Sequence, residues 1–234
     1  MSEKDVVELE LYLILHAQSV TNAASPEQID AMDFNMREDP LLSEKGLCQA
    51  RLLGERFSEI NLDAVYSSCL NRAVQTAKGV LDFQKDKKAL FVNPVFSEIH
   101  QPTYYRGSSF EALQSFCEYV APCPSADFSG GLIEGSENDT DAVIQQRAAR
   151  AVGMLVSQYK NGQKVAVVSH AGFITHMVFY ILGFKESLPD DVDISFCNTS
   201  VTKVVFYKKG THGYGSVVFR NINDTSHLEK DLIT

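Results

Sequence analysis

The sequence predicts an α/β domain: a three-layer, doubly wound and mostly parallel sheet with helices on both faces. Three observations carry that expectation. Leu9 to Leu15 is a short, nearly unbroken apolar run of the kind buried on both faces of a parallel sheet, and Lys164 to Ser169 is a Val-rich counterpart. Segments with apolar residues at helical spacing alternate with such runs, the order that βαβ units produce. Each of the two runs ends directly at a histidine, His16 and His170, and sheets of this class bind ligands beyond the carboxyl ends of their strands.

In chain order, the stretch from Gln18 to Asp39 is polar and shows no apolar period. Pro40 and Ser43 introduce a helix whose stripe is Leu47, Ala50, Leu53, Phe57 and Ile60. Ala64 to Ser67 reads as a strand, followed by a helix from Leu70 through Leu81 with Arg72 in its first turn. Leu90 to Val92 is a further short strand, and Pro94, Pro102 and Gly107 mark loops around Glu98. Ser109 to Val120 reads as a helix, before a long irregular connection punctuated by Pro122, Pro124, Gly130, Gly131 and Gly135. Residues 99–140 together are expected to form an inserted lid, since long irregular connections often cover sites. A helix over Asp141 to Tyr159, the strand Lys164 to Ser169 and a helix over Gly172 to Leu182 follow. Ser200 to Tyr207 and Gly215 to Arg220 have strand composition and suit a hairpin around Gly210 to Gly213. With no repeat and no linker, residues 1–234 are expected to form one domain.

Composition narrows the function. The chain has 234 residues, enough for a full core, and 44% hydrophobic with 22% charged residues is ordinary for a globular domain. No stretch approaches the roughly 18 apolar residues of a membrane span, and Met1 to Glu10 is too acidic for a secretory leader, so the expected location is cytoplasmic. Five scattered cysteines without a C-x-x-C pair argue for reduced thiols over disulfides or a metal site. A net charge of -9 disfavours nucleic acid or an acidic membrane as partner, while leaving room for a small anion in a locally basic pocket. Neither G-x-G-x-x-G nor G-x-x-x-x-G-K-[ST] occurs, which argues against a plain nucleotide-binding domain.

Phosphoryl transfer needs an unprotonated nucleophile, donors for the equatorial oxygens and a proton source for the leaving oxygen. A neutral imidazole is a competent nucleophile near neutrality, because its unperturbed pKa is about 6.5. Arg72 offers a permanently charged fork of donors matched to phosphate. The Ala171-Gly172 backbone, opening a helix, has N–H groups that suit an anion.

The ordered runs Leu13-Ile14-Leu15-His16-Ala17-Gln18-Ser19 with Asn22, Ser67-Ser68-Cys69-Leu70-Asn71-Arg72-Ala73-Val74-Gln75-Thr76-Ala77, and Val167-Val168-Ser169-His170-Ala171-Gly172 resemble the histidine phosphatase superfamily, which is phosphoglycerate mutase-like. Leu42-Ser43-Glu44-Lys45-Gly46 with Gln49-Ala50, Gly135-Ser136-Glu137 before a helix with Arg147, and Asn198-Thr199-Ser200-Val201 extend the resemblance over most of the chain. It implies that His16 accepts the phosphoryl group, that Arg72 and His170 bind its oxygens with Asn22 as a neutral donor, and that Glu98 protonates the departing oxygen. Glu111, Glu137 and His100 are alternatives to Glu98. It further implies hydrolysis of a small phosphomonoester, without metal or cofactor. A mutase is disfavoured because the segment between Asn22 and Leu42 lacks the aromatic-glycine signature of phosphoglycerate mutases. Specificity is expected in a lid with Tyr104, Tyr105, Arg106, Phe110, Phe116 and Phe128. Oligomeric state is not indicated.

One departure matters. The family's first motif is Arg-His-Gly, and this chain has Leu15-His16-Ala17. A phosphate-binding cation is absent, so the alternative function is a catalytically impaired phosphate-ligand sensor or interaction module, unless Arg106 or Arg37 fills the vacancy. Ala17 would crowd the backbone if that position had φ above zero.

Overall fold

Alternation along the first apolar run decides which faces must be covered. In the computed structural model, which describes residues 5–189 and 191–234, this run is strand β1 (Val7–Leu15). Successive strand residues point to opposite faces, and Leu9, Leu11, Leu13 and Leu15 join one buried cluster while Tyr12 and Ile14 join another. The polar stretch after it folds as three short helices, α1 (Val20–Ala23), α2 (Pro26–Asp30) and α3 (Phe34–Glu38). Ser19, Ser25 and Asp33 open them, each side chain accepting a hydrogen bond from a backbone N–H three residues on.

The remaining elements run α4 (Glu44–Phe57), β2 (Ala64–Ser67), α5 (Asn71–Asp82), β3 (Leu90–Val92), α6 (Phe110–Phe116), β4 (Val120–Pro122), α7 (Asp141–Gln158), β5 (Gln163–Ser169), α8 (Ala171–Leu182), β6 (Val201–Tyr207) and β7 (Val217–Asp224). Leu53 and Phe57 of α4 and Val74, Ala77 and Leu81 of α5 pack with Tyr12 and Ile14. Ile144, Ala148 and Leu155 of α7 and Phe173 and Met177 of α8 pack on the opposite face. The fold is therefore the three-layer α/β architecture read from the sequence.

Among the described residues the sheet has seven strands, in the order β4-β3-β2-β5-β1-β6-β7. β1 pairs in parallel with β5 on one side and antiparallel with β6 on the other. β2, β3 and β4 continue the parallel set, and β6 and β7 form the expected hairpin. Register sets up the site: Leu15 lies opposite Ser169, so the residues that follow, His16 and His170, leave neighbouring strands side by side.

Three expectations need correction. Leu47 is not on the buried stripe of α4 but 54% exposed. The helix read over Ser109 to Val120 ends at Phe116, and Val120–Pro122 becomes the edge strand β4. Three residues are too few to show a strand period, and a proline, which lacks the N–H of a ladder, is tolerated at a sheet edge. Residues 99–140 are consequently not a lid throughout, since α6 and β4 extend the sheet layers and Leu113 and Val120 join the core. Cys69, Cys117 and Cys123 are buried, and all five cysteines are free thiols. Among the described residues, no helix is long and apolar enough to cross a membrane.

Candidate active site

The carboxyl ends of β1 and β5, the start of α5 and the loop after the 3-10 turn Pro94–Phe96 open onto one cleft of about 470 Å³. His16, Asn22, Arg37, Arg72, Glu98 and Ala171 line it, with Leu15 and Asn198 in its wall.

His16 is held by its backbone and oriented by its ring. Its N–H donates to the Ser169 carbonyl (3.0 Å), Asn198 Nδ2 donates to its carbonyl (2.8 Å), and the next residue's N–H donates to Thr76 Oγ1 (2.9 Å). His16 Nδ1 lies 2.8 Å from the Ala17 carbonyl. A carbonyl only accepts, so the ring proton sits on Nδ1 and the lone pair on Nε2 faces the cleft. Arg72 Nε donates to that lone pair across 3.2 Å. Burial, and then the Arg72 charge, push the His16 pKa down to about 3, which leaves an uncharged imidazole at neutrality. Ala17 is fully buried and is absent from the residues with positive φ, so its methyl group is accommodated without backbone strain.

Behind Arg72 stands Asp39, a carboxylate that the sequence reading did not single out. It is 3% exposed, accepts from Asn71 N–H (2.8 Å) and the Tyr105 hydroxyl (3.1 Å), and lies 4.0 Å from Arg72 Nη1. Burial raises its pKa to about 6, against the opposing effects of Arg72 and the Asn71 N–H. Burial likewise lowers the Arg72 pKa, with Asp39 and then Glu98 resisting the shift. The Asp39 signal in the sequence was weak, because an acidic residue beside a proline is usually solvated.

His170 lies next to His16, ring centroids 5.1 Å apart, but is fully buried and forms no part of the cleft lining. Ser68 Oγ accepts from Leu70 N–H and sits 2.7 Å from His170 Nε2. With the hydroxyl proton directed to Nε2, the ring proton belongs on Nδ1, which has no hydrogen-bond partner among the described residues. Burial is the main reason its pKa lies well below that of a free histidine, and the Arg72 and His16 neighbours add to it.

The Glu98 carboxylate does not stand free in the cleft. Oε1 accepts from Ile99 (2.9 Å) and Phe173 (3.1 Å) N–H groups and Oε2 from Gly172 N–H (3.4 Å), so the N-terminus of α8 is engaged by Glu98. The approach needs a glycine: a Cβ on Gly172 would stand 2.8 Å from Glu98 Oε1 and 2.6 Å from the Ile99 side chain. Arg147, buried on α7, donates to the Glu98 carbonyl (3.3 Å) and the Glu134 carbonyl (2.5 Å) and stacks 4.3 Å over the Phe173 ring. Burial lowers its pKa to about 10, so it remains a cation bracing this loop.

Other expected residues fall as follows. Asn22 lines the cleft, and its Oδ1 accepts from Ser19 N–H (3.1 Å). Among the expected lid residues, Tyr104, Tyr105 and Arg106 do not line the cleft; Gln101 and Pro102 do. Their hydrogen bonds explain this: Tyr104 is bound to Glu38 (3.3 Å), Tyr105 to Asp39, and the Arg106 carbonyl accepts from Leu132 N–H (3.0 Å). Phe110 and Phe128 stack edge to face at 5.2 Å against the core. Glu111, Glu137 and His100 are exposed and outside the cleft.

His16, the Arg72 guanidinium on its ring and the Glu98 carboxyl thus meet in one cleft at the carboxyl end of a doubly wound sheet, with the His170 ring buried alongside. A sequence model of the histidine phosphatase superfamily (branch 1) matches residues 11–215, and the chain belongs to that superfamily. It is 25% identical over 227 residues to the Erwinia tasmaniensis protein named "Probable phosphoglycerate mutase GpmB", covering 94% of this chain and 95% of that one. Among solved structures, Bacillus stearothermophilus YhfR superposes with a TM-score of 0.62 at 24% identity, covering 94% of this chain and all (100%) of that one. The phosphoserine phosphatase of Entamoeba histolytica, solved with 3-phosphoglyceric acid, superposes with a TM-score of 0.60 at 22% identity and covers 94% and 100% of the two chains. At these identities the structural matches speak to fold.

Proposed function

We propose that the protein is a phosphatase that hydrolyses a small phosphomonoester through a phosphohistidine on His16. The observation that carries this reading is the Nε2 lone pair of an uncharged His16, turned to the cleft with Arg72 Nε on it at 3.2 Å. Arg72 stands where a phosphoryl oxygen would lie, and entry of the substrate frees the lone pair as the guanidinium turns to the oxygens. Nε2 then bonds to phosphorus, the ester P–O bond breaks, and its electron pair leaves with the alcohol oxygen. Glu98 in its acid form gives that oxygen a proton. Water next attacks the phosphohistidine, its proton passes to the Glu98 carboxylate, the N–P bond breaks and inorganic phosphate departs. The Asn22 amide on the cleft wall is a further donor for phosphoryl oxygens, and preorganised donors of this kind act mainly on the transition state.

A panel of phosphomonoesters with the wild type and His16→Ala tests the reading. The wild type is expected to release phosphate and to yield an acid-labile, base-stable phosphoenzyme, and His16→Ala to lose both while keeping its fold. Undiminished turnover in the variant would remove His16 as nucleophile. Leu15 in the cleft wall favours a second reading, a phosphate sensor without turnover. Tight phosphate binding with no hydrolysis across the panel selects it. Incubation with 3-phosphoglycerate, with and without 2,3-bisphosphoglycerate, separates free phosphate from a positional isomer as product and so tests for mutase activity.

A further inference from the structure

We infer that Arg37, at the end of the short helix α3, is the second phosphate-binding cation of the cleft, an inference that rests on the phosphate reading of the site. The need for one comes from charge. Among the described residues lining the cleft, the ionisable side chains are His16, Arg37, Glu38, Arg72 and Glu98, and His16 is uncharged at neutrality. Among the described residues Arg72 is the sole cation bonded to the nucleophile, and it already faces the Asp39 carboxylate at 4.0 Å. A phosphomonoester dianion entering beside the uncharged His16 imidazole and an apolar Leu15 is therefore undercompensated, in a protein whose overall charge of -9 repels it. Arg37 is the one remaining cation on the wall among the described residues.

Its present bonding leaves it free to answer. Arg37 Nε donates to Glu38 Oε1 at 3.2 Å, the side chain is 42% exposed, and its terminal nitrogens have no hydrogen-bond partner among the described residues. Glu38 is the fixed member of the pair, with a side chain only 12% exposed and a second bond from the Tyr104 hydroxyl at 3.3 Å. A half-exposed ion pair is held weakly, whereas a guanidinium meeting a phosphoryl dianion makes short, charge-assisted bonds with a matched fork. The exchange of Glu38 for the anion is therefore downhill, or can be met by the free Nη groups with the Glu38 bond kept. Arg106, the other arginine near this region, is exposed and outside the lining.

Calorimetric titration of the full chain with inorganic phosphate and with orthovanadate tests the assignment, because it reads binding without turnover. Arg37→Ala is expected to weaken both anions by fivefold or more and to flatten the dependence of affinity on salt, Arg37→Lys to recover part of the loss, and Arg51→Ala on the far-exposed side of α4 to change neither. A loss below fivefold for Arg37→Ala, or a fivefold loss for Arg106→Ala instead, overturns the assignment. If the wild type binds neither anion, the assignment falls together with the phosphate reading of the cleft. If it binds them and hydrolyses no ester, the hydrolase reading fails alone and Arg37 retains its role.

Discussion

At position 15 an apolar side chain occupies the place where the family motif has a cation, and the structure explains how the chain tolerates it. Leu15 is 5% exposed, packed with Leu13 and the α7 and α8 side chains, yet its outer end forms part of the cleft wall. A guanidinium at this position has both a core to leave and a polar cleft to reach. With Arg37 present, Leu15→Arg is expected to raise aryl-phosphate turnover by less than tenfold, since two cations serving one anion do not add independently. In the Arg37→Ala background it should restore tenfold or more, about 1.4 kcal/mol of transition-state stabilisation. Loss of the buried leucine should cost about 1.5–3 kcal/mol of stability in both backgrounds. Turnover and melting temperature on the same four proteins check this; no rescue in a stably folded double variant would mean that position 15 does not reach the phosphate.

At the level of elements, α8 does the unusual thing. Its first turn is engaged by Glu98 from another segment, and the contact exists because Gly172 has no Cβ. Gly172→Ala should displace the carboxylate and lower kcat tenfold or more for an alkyl phosphate, about 1.4 kcal/mol, with a smaller loss for p-nitrophenyl phosphate, whose leaving group needs little protonation. Equal losses on both substrates would disconnect Glu98 from proton transfer. Much of this level was legible in the sequence. The runs ending at His16 and His170 showed as strands because burial on both faces demands unbroken apolar residues, and Arg72 was visible in its motif. Asp39, Ser68 and the Glu98 bonds to α8 were not, because they are contacts between segments more than 30 residues apart and leave no local period. Likewise β4 is too short to show one, and only the folded chain distinguishes Arg37, on the cleft, from Arg106, outside it.

For the whole molecule, the buried titratable groups set the response to acid. His16 and His170 are held uncharged by burial, with pKa values of about 3 and well below the usual range. Unfolded, each takes up a proton near pH 6.5, so their contribution to stability is present above that pH and is lost as pH falls toward their folded values. Asp39 acts in the opposite sense: its pKa is raised to about 6, so the native state gains a proton there before the unfolded chain does, and acid stabilises it. His227, whose pKa burial lowers to about 4, acts like the two site histidines, so around pH 5 three protons favour the unfolded chain and one the native state, and stability should fall by about 2.7 kcal/mol per pH unit. Asp39→Asn removes the compensating proton and should steepen that slope by about half, to about 4 kcal/mol per pH unit. Urea unfolding between pH 7 and 4.5 measures both; a slope that Asp39→Asn leaves unchanged would refute the protonation of Asp39 in this range.

The pairing of β1 carries a consequence for biosynthesis. Both neighbours of this first strand, β5 and β6, come from the last third of the chain, the nearer beginning at Gln163. At about 5–20 residues per second, the roughly 150 residues between them take on the order of ten seconds or more to emerge from the ribosome. Through that interval β1, at nine residues the longest strand among the described residues, has both edges open and neither neighbour available. During synthesis β1 is thus the segment most in need of a chaperone, and the nucleophile's position becomes defined only once β5 has arrived.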